Sequence, residues 1–345
     1  MSWKSFAREL ERSARRANRA NLQAARRQER AQTREARELA KLSREQAKAD
    51  ERARAQSEVA TYDNYLSILV SVHKDASSPV PWQTIASEGR PADPKRTNAN
   101  EASARLKLEG YTPGFFDKLF KQDVKKKAAL ERAVVQGRDA DERLYQEALQ
   151  LHAQQVQAWD ERRRLAERIL ARDIASYSMA LETVGCFDEV KAFGTIVTQG
   201  EARPDALLLH AEIRDQEVIP REVVKLTASG KLSTSNMAAG KYWELYQDHV
   251  CSCALRLALE VFAVLPVARM IVNISATEVS DATGHPEPRT YLAVHFTRDQ
   301  VTQLNLDRID PSSSMTNFPH RMKFAKTKGF SPVDPITFDD QFVTT

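Results

Sequence analysis

Four sets of side chains in this sequence have types and spacings that chemistry can use. The first is cationic: Arg8, Arg12, Arg15, Arg16, Arg19, Arg26, Arg27 and Arg30 crowd a stretch whose first 34 residues hold ten Lys or Arg against three Glu. Basic side chains neutralise phosphates and release condensed counterions, so this run is expected to dock on a nucleic-acid backbone without reading bases. The second set lies in the tail. No acidic residue occurs between Asp310 and Asp334, while His320, Arg321, Lys323, Lys326 and Lys328 fall close together with Phe318, Phe324 and Phe330 interleaved. Basic groups fix phosphates and aromatics stack on unpaired bases; the plainer alternative is aromatics that anchor an extended tail and lysines that face water. The third set is Asp205 and Glu212, two carboxylates of a kind that holds magnesium. The fourth is His249, Cys251 and Cys253. Their types suit a metal, but residues two apart on a helix point about 200° apart, so the three do not converge on one ion.

Around the third set, Pro204-Asp205 and Glu212-Ile213-Arg214 resemble the Pro-Asp and Glu-x-Lys elements of metal-dependent nucleases of the PD-(D/E)xK type. The resemblance implies magnesium as cofactor, held by the two carboxylates, with a lysine helping to position the attacking water. Arginine stands in the place of that lysine, and a guanidinium does not release its proton to act as a base. If 205–213 is one strand, Asp205 and Glu212 also face opposite sides of it. The nuclease is therefore the alternative reading; the leading one is non-enzymatic and needs no cofactor. There is no Gly-x-Ser-x-Gly elbow, no dinucleotide-binding glycine fingerprint and no phosphate-binding loop spacing.

The elements that would carry these residues follow from composition and periodicity. From Met1 to Ser78 there is neither glycine nor proline, and Ala, Arg, Glu, Gln, Lys and Leu dominate, which predicts one long helical arm. Trp3, Phe6, Leu10, Ala14 and Ala17 recur at steps of three or four and share a face opposite the arginines. Such a face also suits a helix lying on an anionic membrane surface through Trp3, Phe6 and Leu10. Beyond Ala17 the stripe is mostly alanine, with Leu39 and Leu42 as exceptions, and alanine buries too little area to drive a stable two-stranded coiled coil alone, so an exposed helix or a loose helical pairing is expected. A purely structural coiled-coil homo-oligomer, or a partner protein on the long helices, is a further alternative. From Val59 through Tyr62, Leu66, Leu69 and Val70 the apolar face thickens and joins the folded body.

Residues 79–111 read as a proline-containing connector, and 112–184 as a helical hairpin or bundle with a helix opening at Thr112 and two more, 122–136 and 139–172, parted near Gly137. After Gly185 the texture changes. Runs at 193–198 and 206–213, a loop around Gly230, a helix at 238–265 and runs at 267–274 and 291–296 predict an α+β domain over 185–310, with two β-hairpins and a central helix. The tail, 311–345, is expected to be irregular. The fold class is thus α+β, predominantly helical, with a long basic N-terminal helix.

Charge is unevenly shared. Residues 1–60 carry 16 basic and 9 acidic groups, and residues 35–60 balance at six against six, so by count the excess precedes Glu35. Three cysteines, Cys186, Cys251 and Cys253, make neither a disulfide set nor a zinc pattern and favour a reducing, cytoplasmic setting. No apolar run reaches membrane-spanning length, and no secretory signal follows the basic start. The expectation is a binding and assembly protein whose arm docks on nucleic-acid phosphates and whose helices self-associate.

Overall fold

The computed structural model describes the backbone of residues 3–114, 122–213, 218–280 and 282–340, and, within these, the side chains of residue 29 and of residues 32 onward. The chain is predominantly helical and of the α+β class, with a long N-terminal helix and a mixed sheet. It divides into two compact units: residues 1–71, 216–249 and 325–329 form one, and residues 72–215, 250–324 and 330–345 the other.

The first unit is built on helix α1 (Trp3–Ser71). Its 69 residues span about 100 Å at 1.5 Å per residue. Every residue from Gln32 to Arg54 is exposed. Then Ala55, Val59, Tyr62, Leu66 and Leu69 turn one face inward at steps of four, three, four and three, reaching full burial at Leu69. The loop expected around Gly230 is the turn of a β-hairpin, β3 (Glu222–Leu226) with β4 (Leu232–Asn236), in register Val223 with Ser235 and Val224 with Thr234. Two strands, β1 (Thr195–Arg203) and β2 (Ala206–Ile213), precede it in the other unit. Gly230 supplies the left-handed residue of that turn, φ +78°, and the Thr227 hydroxyl accepts a hydrogen bond from the Lys231 N–H at 3.0 Å. Two tyrosines tie the hairpin segment to α1: Tyr62 donates its hydroxyl to the Glu222 carbonyl at 2.9 Å and Tyr65 to the Val218 carbonyl at 2.7 Å.

In the second unit the short helices α2 (Trp82–Ser87) and α3 (Ala99–Glu109) cover the apolar stripe of α4 (Asp123–Leu170). α4 runs unbroken through Gly137, which corrects the expected pair of helices. The glycine is there for a close approach: a Cβ at that position would sit 2.8 Å from the Asn100 carbonyl oxygen. One turn later Asp141 accepts from the backbone N–H groups of Asn100 (3.1 Å) and Glu101 (2.9 Å), capping α3 from outside. The helix expected to open at Thr112 falls on residues 115–121, outside the described residues.

After α5 (Tyr177–Val184) and α6 (Asp188–Ala192) comes a six-stranded sheet of order β1-β2-β5-β6-β7-β8. Its members are β1 (Thr195–Arg203), β2 (Ala206–Ile213), β5 (Arg269–Val279), β6 (Pro286–Thr297), β7 (His320–Ala325) and β8 (Gly329–Ser331). β2 pairs in parallel with β5, whereas β1–β2, β5–β6 and β6–β7 are antiparallel. The two β-hairpins read from sequence are β1–β2 and β5–β6. The tail is more regular than expected, because β7 extends the sheet and Asn273 clamps the chain that follows. The Asn273 amide donates to the Ile336 carbonyl and accepts from its N–H, both at 2.9 Å, and Ile336 is fully buried.

Helix α7 (Ala239–Val264) contributes its first turns to unit one and the rest to unit two. Its second half buries an ion pair: Arg256 Nε lies 2.7 Å from Glu260 Oε1, close but not aligned as a hydrogen bond. Arg256 donates to the Val72 carbonyl and to Glu189, while Glu260 accepts from the Ser77 N–H. Next to this network the ring of His73 bridges the Ser252 hydroxyl (Nδ1, 2.9 Å) and the Leu306 carbonyl (Nε2, 3.1 Å). Because a carbonyl only accepts, a proton sits on Nε2, and in the neutral ring Ser252 then donates to Nδ1. Burial pushes its pKa below the ordinary value.

Candidate nucleic-acid interface

The structure sorts the four sets differently from one another. Of the arm, the backbone from Trp3 onward is helical, and the side chains of Arg8, Arg12, Arg15, Arg16, Arg19, Arg26, Arg27 and Arg30, like those of Trp3, Phe6 and Leu10, lie outside the described residues. Over residues 32–54 every side chain of the arm is exposed. Counting charge over 35–60 hid one feature of it. Arg34, Arg37, Lys41, Arg44, Lys48 and Arg52 recur at steps of three or four, all exposed, and none is in an ion pair among the described residues. The signal that finds them is spacing, not net charge.

The tail cluster is divided. Arg321 is committed to the protein itself: its guanidinium donates to the Asp340 carboxylate at 2.5 Å and to the Pro335 carbonyl at 2.6 Å. Asp340 in turn is held below the usual carboxylate range, by the Thr337 N–H first and Arg321 second. Lys323, Lys326 and Lys328 are exposed and form no ion pair among the described residues. Lys326 and Lys328 belong to the same unit as the arm, in a turn fixed by Gly329 at φ +79°. Trp243 packs so tightly on that glycine that a Cβ would come within 2.5 Å of its ring. The interleaved aromatics are spoken for. Phe330 stacks on Tyr291 at 5.6 Å with 24° between planes, Phe324 meets Phe330 edge-on at 5.3 Å, and Phe318 meets Phe296 at 4.7 Å. These contacts anchor the tail; Phe318 is buried, and Phe324 and Phe330 are half-buried.

The two candidate magnesium ligands are not brought together. Asp205 is in the turn before β2 and pairs with Arg269 at 2.8 Å; Glu212 is near the far end of β2 and accepts from the Thr277 hydroxyl at 2.5 Å. Seven residues of strand separate them by about 23 Å, and Arg214 lies outside the described residues. An ion held by one cannot reach the other, so the nuclease reading loses its centre. His249, Cys251 and Cys253 are buried in α7, and the His249 ring nitrogen Nδ1 is 2.9 Å from the Leu69 carbonyl. Burial pushes the thiols of Cys253 and Cys186 up to about 12, so neither is a ready nucleophile. Among the described residues no group of three His, Cys, Asp or Glu side chains is placed to hold a metal ion, and no helix is long and apolar enough to cross a membrane.

Comparison with protein-family models, with curated proteins and with solved structures found no match to this chain. The physical description is therefore what defines it: an α+β protein with a long N-terminal helix whose residues 32–54 are exposed.

Proposed function

We propose that this is a non-enzymatic binding and assembly protein whose helical arm docks on nucleic-acid phosphates. One observation carries the reading: over residues 32–54 a charged helix is exposed to solvent, touched among the described residues by the β3–β4 turn at Glu51 and Arg52. A helix polar all round gains little from packing, so it persists by propensity and meets its partner through charge. The composition agrees, because the unit that holds the arm has 22 Lys or Arg against 14 Asp or Glu, while the other unit has 29 against 33.

The test is binding of the intact chain to a duplex as salt is raised, beside a full-length variant in which the eight arginines from Arg8 to Arg30 are glutamine. Glutamine keeps helix propensity. Each lost phosphate contact is expected to flatten the salt dependence by about 0.9 in the log–log slope. Equal slopes for the two proteins contradict docking by these arginines. A second reading is favoured by the exposed Leu39 and Leu42, at 61% and 60%: two arms pair through this thin seam. Light scattering separates it, since Leu39→Gln with Leu42→Gln is then expected to convert a dimer to a monomer.

A further inference from the structure

Net charge over residues 35–60 is zero, yet charge there is sorted by direction. At 100° per residue, Arg34, Arg37, Lys41, Arg44, Lys48 and Arg52 fall within a sector of about 80° on α1. Glu35 and Asp50 point about 100° or more away from every one of them. Glu38, Glu45 and Glu51 flank the sector, within about 40° of its edges, and Glu51 is drawn to Lys231 of the hairpin turn at 3.8 Å. The six cations cover 18 residues, about 27 Å of helix. At the inner end, the stem of Arg52 lies against the turn, where a Cβ on Gly230 would be 3.3 Å from Arg52 Cγ.

We infer that this row is a rail that tracks the phosphates of double-stranded nucleic acid, extending the docking surface well past the residues in which the excess charge lies. The inference rests on the arm being the docking element and adds both the residues and the form of the partner. A duplex presents one charge per 1.7 Å along its axis and is stiff over far more than 27 Å, so a rigid row of cations meets it with little ordering cost. A single strand asks for aromatic platforms beside the charge. Among the described residues Tyr65 is the one exposed aromatic, at 39%, and its hydroxyl already donates to the Val218 carbonyl.

The experiment compares three full-length proteins against a duplex, a single strand of equal length and phosphatidylserine vesicles. They are the natural sequence, a rail variant (R37Q, K41Q, R44Q and K48Q) and a control (E35Q and D50N). Circular dichroism verifies that each keeps its helix. The rail variant is expected to lose about three to four units of the log–log salt slope on duplex and to bind at least tenfold more weakly at fixed low salt. The control is expected to keep the natural slope, although it is more cationic by two charges. An unchanged slope in the rail variant, or a control that steepens it, overturns the rail and leaves the arm reading standing. Tighter binding of the natural sequence to the single strand or to vesicles than to duplex overturns the choice of partner. Absence of duplex binding by the natural sequence overturns the proposed function itself.

Discussion

Gly137 shows how one residue can carry two opposite messages. Within a helical pattern a glycine weakens the helix by about 1 kcal/mol relative to alanine, which is why sequence reading parts α4 at this point. In the structure its missing Cβ admits the backbone of Asn100 and Glu101, at 2.8–2.9 Å from where that carbon would be. Gly137→Ala is therefore expected to lower the melting temperature instead of raising it, and a thermal scan showing a gain would mean that α3 moves aside at no cost. Arg256 and Glu260 give a second residue-scale expectation. Both are nearly or fully buried, and Glu260 Oε2 has no hydrogen-bond partner among the described residues. Removing one partner strands the other charge, so Arg256→Met is expected to cost about 3–5 kcal/mol in denaturant unfolding. A loss below 1 kcal/mol would show that water reaches the pair. Neither residue's role was legible in sequence, because both depend on atoms distant along the chain.

Among the elements, those read correctly are the ones whose own residues decide them. The sheet strands β2 and β5 carry short apolar runs, Ala206–Leu209 and Met270–Val272, buried at Leu207, Leu209, Met270 and Val272, and α1 is fixed by uniform helix formers. The β3–β4 hairpin was missed because Ser233, Thr234 and Ser235 give a polar strand with no buried alternation. β7 was missed because its place comes from pairing with β6 and from the Asn273 clamp. The rail was visible as spacing but cancelled in a charge count. α1 should show its two regimes in hydrogen exchange: fast over 32–54, where no packing supports the helix, and slow near Leu69. Uniform protection along the helix would mean that something covers the exposed part.

The buried histidines add a pH dependence at the same scale. Desolvation holds His73, His249 and His295 below the ordinary imidazole value. Below about pH 6.5 the unfolded chain therefore takes up protons that the folded chain refuses, and stability falls as pH drops through that range. The urea midpoint is expected to be lower at pH 5.5 than at pH 7.5, and less so in His73→Gln. A midpoint that rises on acidification contradicts the neutral, Nε2-protonated assignment.

At the scale of the whole molecule, the division of charge coincides with the division of structure: the unit that contains the arm, the β3–β4 hairpin and the Lys326–Lys328 turn carries the cationic excess. The two carboxylates with a nuclease-like spacing, Asp205 and Glu212, are about 23 Å apart along β2. Charge presented on a helix is the property on which the proposed docking function rests. The measurement that meets this claim head-on is the affinity of the intact chain for a duplex at a series of salt concentrations. Six rail contacts alone predict a log–log slope of about −5, and the arginines nearer the N-terminus make it steeper. A slope near zero, or no measurable binding at low salt, would contradict the account.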